Sequence, residues 1–391
     1  MKIGIVLASL PSISETFLDS KINGLQKMGH NIVLFSNKRG YYNQCPVIKN
    51  NLVENYDIFL ILRMMVTYIK LFIMNPLTTF RFLKLEKRSG VYLRRRWENL
   101  FLNSKILKEK LDWLHFPFAT LSLRRESVAL AIGAKLGVSI RGYDICIYPL
   151  KYPDCYEQLW SKVDKVHSIS DELLLIAKNN GLSDNVRSMV IKPAIDLDIF
   201  FYNSKSRNTK LFEKEIIFLT IARLHWKKGL EYTLQALSLL KRSGVAFRYL
   251  LVGEGKERER LSYAIKDMDL SDNVSLLGYS AHKDIIQFYS RADIFIQYSI
   301  QEGFSNAVLE AQAMGLLTIV SNAEGLSENI VNEKTGWIVE KRNPLALYNK
   351  IKEILHMNDS QLELIKNNAS KRVNEKFNLN QQKLDFNKFF D

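Results

Sequence analysis

Cysteine is scarce. The chain has three, Cys45, Cys146 and Cys155, an odd number with no close pair of the kind that binds zinc or forms a redox dithiol. A reducing compartment is implied. Long uncharged apolar runs are also missing: the longest candidate, Ile58 to Met74, is interrupted by Arg63 and Lys70, so no transmembrane span is expected. The apolar start, Ile3 to Leu10, runs at once into Pro11-Ser12-Ile13-Ser14-Glu15 without a small-residue cleavage site, and reads as a first strand and its loop rather than a signal peptide. Glycine is absent from the first strand-to-helix turn, Ala8–Ser14, which argues against an NAD(P)-dependent oxidoreductase. No Walker loop occurs, and Gly303-Phe304-Ser305-Asn306-Ala307 lacks the last glycine of a hydrolase elbow.

What is present is 47% hydrophobic and 25% charged residues without a long polar or repetitive tract, the composition of a stably folded globular protein. At 391 residues the chain exceeds one ordinary core, which stops growing near roughly 250–300 residues, so two domains are expected. The net charge of +14 is uneven, with 28 basic against 18 acidic residues in 1–200 (+10) and 27 against 23 in 201–391 (+4). Arg63–Lys110 alone holds 12 basic and 3 acidic residues, including Arg94-Arg95-Arg96. Such a patch needs a negatively charged neighbour or abundant water.

Apolar spacing predicts a strand over Ile3–Ala8, a helix over Glu15–Met28 closed by Gly29, and a strand over Ile32–Phe35. This βαβ beginning points to a parallel sheet covered on both faces, with ligands at the strand C-termini, where the Pro11–Glu15 loop lies. From Asp57 to Lys110 apolar helices with narrow basic stripes intervene. A strand over Trp113–Phe116, a helix near Leu123–Leu136, and apolar segments Ser139–Tyr143 and Ile145–Tyr148 follow. A second alternating series has strands at Ile216–Ala222, Phe247–Val252, Val274–Leu277, Ile294–Gln297 and Leu317–Val320, separated by helices at Leu230–Lys241, Lys256–Met268, Asp284–Arg291 and Asn306–Met314. The pattern is that of an α/β, doubly wound chain. The polar, aperiodic stretch Tyr202–Thr209 reads as the linker, with a cleft expected between the two lobes.

The most informative segment is Gln301-Glu302-Gly303-Phe304-Ser305-Asn306-Ala307-Val308-Leu309-Glu310, which joins a strand to a helix. Backbone N–H groups near Ser305, Asn306, Ala307 and Val308, backed by the helix dipole, can bind a diphosphate, and Gly303 lets a ligand approach the backbone. Glu310, about one turn into the helix, can accept hydrogen bonds from a ribose, and Glu302 faces the same pocket from the loop. The alternative is a capping acid and a solvated Glu. A second strand end, Arg223-Leu224-His225-Trp226-Lys227-Lys228-Gly229, carries Arg223 and Lys228, which can converge on a diphosphate leaving group. Gly253-Glu254-Gly255 forms a tight turn on the rim of that pocket, matching only part of the dinucleotide fingerprint.

Together these residues resemble the family 4 retaining glycosyltransferases, within the glycosyl transferases of group 1. The matching pieces, in family order across almost the whole chain, are Ser12-Ile13-Ser14-Glu15-Thr16-Phe17, Arg141-Gly142-Tyr143-Asp144, Pro193-Ala194-Ile195-Asp196, Arg223 with Lys228, Gly253-Glu254-Gly255, the Glu302 and Glu310 pair, and Glu324-Gly325-Leu326-Ser327-Glu328. The resemblance implies the GT-B architecture, two Rossmann-like parallel-sheet lobes facing a central cleft. Residues 1–202 would form the acceptor lobe with its basic helical insertion at 57–110, 210–372 the nucleotide-sugar lobe, and 373–391 a C-terminal helix packing back on the first lobe. Glu310 would hold the ribose, Arg223 and Lys228 the diphosphate, and Glu302 the donor sugar. Ser14, Gly253, Gly303 and Phe304 to Val308 would complete the donor site. Front-face attack is implied, with the departing phosphate oxygen taking the acceptor's proton.

Members often carry a His-x-His pair at a strand end of the first lobe; here His115 is present and Pro117 takes the second place, and Arg141 stands where many relatives have His. His115 is expected in the active site, against the alternative of a half-buried strand-end His. His30, His167, His225, His282 and His356 are scattered and need no role. Asp196-Leu197-Asp198 and Asp267-Met268-Asp269 spell the metal motif of the other large glycosyltransferase fold but lie in an interlobe passage and at a helix end, so neither a metal nor another cofactor is expected. The expected partners are a UDP- or GDP-linked sugar and a saccharide or lipid-linked acceptor in surface polysaccharide or lipopolysaccharide assembly. The basic helices are expected to rest on an anionic membrane face, on the cytoplasmic side of the plasma membrane. The alternatives are a buried helix with a solvated Arg run, or a non-catalytic basic protein binding a membrane or nucleic acid; nucleic acid is disfavoured by the intact donor constellation.

Overall fold

The computed structural model describes residues 1–10, 16–42, 44–53, 56–201, 215–281 and 283–391, with the side chain of Thr16 left aside. Ser14 and the Tyr202–Thr209 stretch therefore lie outside the described residues, as does His282. The chain divides into two compact units, Met1–Ile191 with Lys383–Asp391, and Lys192–Gln382.

In the first unit the strands are β1 (Lys2–Leu7), β2 (Asn31–Ser36), β3 (Val47–Lys49), β4 (Trp113–Phe116), β5 (Lys135–Ile140), β6 (Lys165–Ser168) and β7 (Arg187–Val190). They form one parallel sheet in the order β3-β2-β1-β4-β5-β6-β7, whose order reverses between β1 and β4. The helices are α1 (Thr16–Lys27), α2 (Ile58–Met74), α3 (Pro76–Arg88), α4 (Leu93–Asn103), α5 (Val128–Ile132), α6 (Tyr148–Lys151), α7 (Glu157–Trp160) and α8 (Asp171–Asn179). Leu18, Ile22 and Leu25 put one stripe of α1 on the sheet. Leu71, Phe82 and Leu100 bring α2, α3 and α4 onto the opposite face.

One expectation is corrected here. The helix near Leu123–Leu136 shrinks to α5, because Gly133, at φ +78°, ends it and the alternating Lys135–Ile140 enters the sheet as β5. The apolar segment Ile145–Tyr148 lies within helical turns over 143–151.

The second unit holds β8 (Ile216–Ile221), β9 (Phe247–Val252), β10 (Val274–Gly278), β11 (Ile294–Gln297), β12 (Leu317–Ser321) and β13 (Trp337–Val339), all parallel in the order β10-β9-β8-β11-β12-β13. Its helices are α9 (Leu230–Arg242), α10 (Arg258–Asp267), α11 (Ile286–Arg291), α12 (Asn306–Ala313), α13 (Pro344–Leu355) and α14 (Asp359–Lys376). Helix α15 (Leu379–Phe390) begins in this unit and ends in the first, where Phe386, Phe389 and Phe390 are buried against Trp113. Residues 192–201 belong with the second unit, since the Ile195 N–H donates to the Phe377 carbonyl at 3.1 Å and Phe200 packs edge-on against Tyr289.

Candidate active site

In an open parallel sheet, ligands bind beyond the strand C-termini where the strand order reverses. In the second unit that point lies between β8 and β11, and the two loops singled out by sequence leave those two strands. Beyond β8, Arg223 is exposed, and Trp226–Lys228 form one 3₁₀ turn that stops at Gly229, φ +60°. A Cβ on Gly229 would lie 2.2 Å from the Tyr298 carbonyl oxygen, so the glycine is what lets this turn lie against the end of β11. The backbone seals the approach, with the Ile300 N–H donating to the Lys227 carbonyl at 2.7 Å. Lys228 is thereby set beside Glu302, and the two side chains form an ion pair, each less than one-fifth exposed. Cationic charge is concentrated here: the half-buried His225 is shifted below its ordinary pKa by burial and then by Lys227, Arg223 and Lys228.

The Glu302–Ser305 loop is fixed from several directions. The Glu302 N–H donates to Glu324 Oε2 at 3.1 Å, and Glu324 pairs with Lys341 at 3.2 Å. The Ser305 N–H donates to Asn329 Oδ1 at 3.1 Å, while Asn329 Nδ2 donates to the Ser305 carbonyl at 2.9 Å. Ser305 caps α12 by accepting from the Val308 N–H at 3.4 Å. The N–H groups of Ser305 and Val308 are thus engaged within the protein. Those of Asn306 and Ala307, the first two residues of α12, have no intrahelical partner by the geometry of a helix start. Gly303 and Phe304 are buried in the same loop, Phe304 against Phe377. Glu310, 6% exposed, accepts the Tyr289 hydroxyl at 2.8 Å, and burial followed by the Glu310 charge holds that phenol well above its ordinary pKa.

Gly253 and Gly255 work by their size. A Cβ on Gly253, φ +141°, would meet the Ala222 carbonyl oxygen at 1.9 Å, and one on Gly255 would meet the Leu224 carbonyl oxygen at 2.1 Å. The β9 turn therefore packs directly on the backbone that carries Arg223. Tyr289, Asn329 and Lys341, which hold Glu310, Ser305 and Glu324, carried no local signal; each reaches the site from a distant segment.

His115 is placed differently from the expectation. It shares one face of β4 with Trp113, and that face is covered by α15, so His115 has no exposed surface from which to touch a substrate. Its Nε2 lies 2.8 Å from Lys21 Nζ and 3.1 Å from Ser139 Oγ, and Ser139 Oγ lies 2.8 Å from His167 Nδ1. Lys21 Nζ sits 4.3 Å from the Phe386 ring centroid. Burial, then neighbouring positive charge, depresses Lys21, His115 and His167 well below their ordinary values. Arg141 stacks on Phe17 at 3.7 Å and adds to that charge. Asp144, pushed up to about 6 by burial, accepts from the Arg141 N–H at 3.2 Å and the Thr120 hydroxyl at 3.0 Å. Among the described residues no group of three or more His, Cys, Asp or Glu side chains is arranged to hold a metal ion. The Asp198 N–H donates to Asp196 Oδ1 at 3.0 Å, a turn contact.

The chain is similar to known proteins in sequence and in fold. The profile of the family described as glycosyl transferases group 1 matches residues 202–371. The putative colanic acid biosynthesis glycosyltransferase WcaL of Salmonella typhimurium is 24% identical over 404 residues, covering 97% of this chain and 96% of its own. A Campylobacter jejuni enzyme, N,N'-diacetylbacillosaminyl-diphospho-undecaprenol alpha-1,3-N-acetylgalactosaminyltransferase, is 34% identical over 199 residues, covering 49% of this chain and 51% of its own. Among solved structures, Anabaena HepE in complex with UDP superimposes with a TM-score of 0.72 at 15% identity, covering 99% of each chain. With its second unit matching the profile of the glycosyl transferases of group 1, its whole length similar to relatives named as glycosyltransferases of polysaccharide or lipid-linked saccharide biosynthesis, and its two parallel-sheet units having the GT-B fold, the chain is a glycosyltransferase.

Proposed function

We propose that the chain is a retaining, metal-independent hexosyltransferase that takes a sugar from a UDP- or GDP-linked donor and places it on a saccharide or lipid-linked saccharide. The observation that carries this reading is the meeting, at the sheet's reversal point, of a cationic turn with the open start of α12 and Glu310 one turn inside it. The diphosphate is taken by Arg223, Lys228 and the N–H groups of Asn306 and Ala307, the ribose by Glu310, and the sugar by Glu302. The Lys228–Glu302 pair then divides its partners, the ammonium turning to phosphate and the carboxylate to sugar hydroxyls. As the C1–O bond to phosphate breaks, the offset charge stabilises the leaving diphosphate. Its departing oxygen takes the acceptor hydroxyl's proton while the acceptor oxygen bonds C1 from the same face. Configuration is kept without a protein nucleophile, and His115 has no part in the step.

The setting is the cytoplasmic face of the plasma membrane, with α2, α3 and α4 resting on anionic lipid. The wide apolar exposure of α2 supports this, as do the relatives whose names place them in colanic acid biosynthesis and on a diphospho-undecaprenol substrate. A panel of UDP-, GDP- and ADP-sugars tests the donor reading: one nucleotide class binds and turns over, and Glu310→Ala and Lys228→Ala lose that binding. Binding of no donor, or undiminished binding by both variants, overturns it. The anomeric configuration of the first product, read by NMR, tests retention.

A further inference from the structure

A second cluster of cationic side chains, outside the residues given to the proposed donor site, lies in the first unit. In the first unit a pocket of about 570 Å³ is lined by Arg39, Lys49, Arg63, Lys70, Lys105 and Lys108, with no acidic residue in its wall among the described residues. The six come from four segments: the turn after β2, the end of β3, α2, and the turn after α4. Among the described residues none of them makes an ion pair, although other cations of this region do, as Arg94 and Arg124 with Glu98. Lys108 is shifted below its ordinary pKa by burial and then by Lys105 and Lys70, as expected of uncompensated charges held together. One wall is fixed in advance. Asn51 donates to Ser104 Oγ at 2.8 Å and accepts from Arg63 at 3.3 Å, and the Arg63 guanidinium lies 5.7 Å from the Phe101 ring centroid.

The helix that supplies Arg63 and Lys70 is apolar on its outer side. Leu60, Met64 and Leu71 form its buried stripe, yet Phe59, Leu62, Met65, Ile69, Ile73 and Met74 are each about half or more exposed. No single helix among the described residues is long and apolar enough to cross a membrane. The 17 residues of α2 reach about 25 Å, short of the roughly 30 Å hydrocarbon core, and α3 turns away by 116°. A helix of this kind lies in the interface plane. A soluble anion accounts for the cations but not for the exposed apolar side. A neutral lipid surface accounts for the apolar side but not for six clustered cations.

We propose that this pocket receives the phosphate-bearing headgroup of a membrane amphiphile while the outer face of α2 enters the acyl region. The proposal rests on the membrane part of the proposed function and assigns it a specific site. The test is sedimentation of the full chain with phosphatidylcholine vesicles, alone or containing phosphatidic acid, beside titration with inorganic pyrophosphate. The wild-type chain binds phosphatidic acid vesicles preferentially. Lys70→Gln/Lys105→Gln/Lys108→Gln weakens that binding about 100-fold, at about fivefold per lysine. Lys84→Gln/Lys87→Gln/Arg88→Gln, which removes as much charge from outside the pocket, weakens it tenfold less. Unchanged denaturant unfolding of the first unit shows that both variants are folded. Equal losses in the two triple variants overturn the pocket and leave a general electrostatic attraction. Absence of binding to any vesicle overturns the membrane reading itself. Tight pyrophosphate binding unaffected by Ile69→Ser/Ile73→Ser, together with vesicle binding equally unaffected, overturns the lipid and leaves a soluble anion.

Discussion

The ion pair between Lys228 and Glu302 gives the donor site a signature that single substitutions cannot mimic. Lys228→Met removes a charge-assisted contact to the diphosphate worth about 1.5–3 kcal/mol. It also leaves Glu302 as an uncompensated carboxylate, since among the described residues its other side-chain contact is the Ser299 hydroxyl at 3.5 Å. A carboxylate about 5 Å from a phosphate charge costs about 3 kcal/mol at an effective dielectric constant near 20. Rotation of the side chain relieves part of that, so the expected loss in nucleoside diphosphate affinity is about 1,000-fold, or roughly 4 kcal/mol. Glu302→Gln alone frees the ammonium and leaves nucleoside diphosphate affinity unchanged or tighter. Added to Lys228→Met, it restores at least tenfold, because the repulsion is gone. Turnover of the complete donor falls in all three variants, since Glu302 is then missing from the sugar. Calorimetric titration with the nucleoside diphosphate completes the cycle, and denaturant midpoints report the pair's separate contribution to stability. A double variant that binds no better than Lys228→Met, or a Glu302→Gln protein weakened more than tenfold, refutes the sharing of Lys228 between Glu302 and phosphate.

Gly255→Ala drives a Cβ onto the Leu224 backbone, so it should cost about 1–3 kcal/mol in denaturant unfolding and reduce donor affinity by displacing Arg223. Gly244→Ala, with open space but φ +80°, should lower stability without touching donor affinity. His115 and His167 are held below their ordinary pKa in the folded chain and titrate near 6.5 once unfolded. Below that pH the unfolded chain binds the extra protons, so stability should fall by up to about 1.4 kcal/mol per pH unit for each ring, and His167→Gln should flatten the profile. Lys21, depressed likewise, should make stability rise with pH between its folded value and about 10.4, a rise that Lys21→Met abolishes. Transfer activity should persist in EDTA after exhaustive dialysis; loss restored by Mg²⁺ or Mn²⁺ would contradict the metal-independent reading.

The second unit was legible because its loops obey local rules. Ile294–Gln297 and Phe247–Val252 are strands at the expected bounds, and Ser305 caps α12 where the sequence turns from loop to helical spacing. The first unit was less so. The strands β3, β6 and β7 are three or four residues long and leave too short a period to read. His115 shows a different limit. Strand alternation places it on the same face as Trp113, but that face is closed by Phe389 and Phe390, more than 270 residues further along the chain. No local pattern announces such a cover. Helix α2 shows a third: its composition suits a buried helix and an exposed one equally, and only packing reveals that the buried stripe is narrow.

The two anion sites read from these units should differ in their response to salt. At the proposed donor site, part of the field would come from the N–H groups of Asn306 and Ala307, fixed dipoles that release no counterions on binding, and Lys228 is paired with Glu302 before a ligand arrives. The pocket beside α2 has six cations, none paired among the described residues, and each attracts counterions that an incoming headgroup displaces. Raising ionic strength from 0.05 to 0.5 M should therefore weaken phosphatidic acid vesicle binding far more steeply than nucleoside diphosphate binding. Equal slopes would mean that the donor site, too, works chiefly by unpaired charge. The roles given to Asn306, Ala307 and the Lys228–Glu302 pair would then have to be abandoned, while the glycosyltransferase assignment, which rests on the matching profile and the named sequence relatives, would stand.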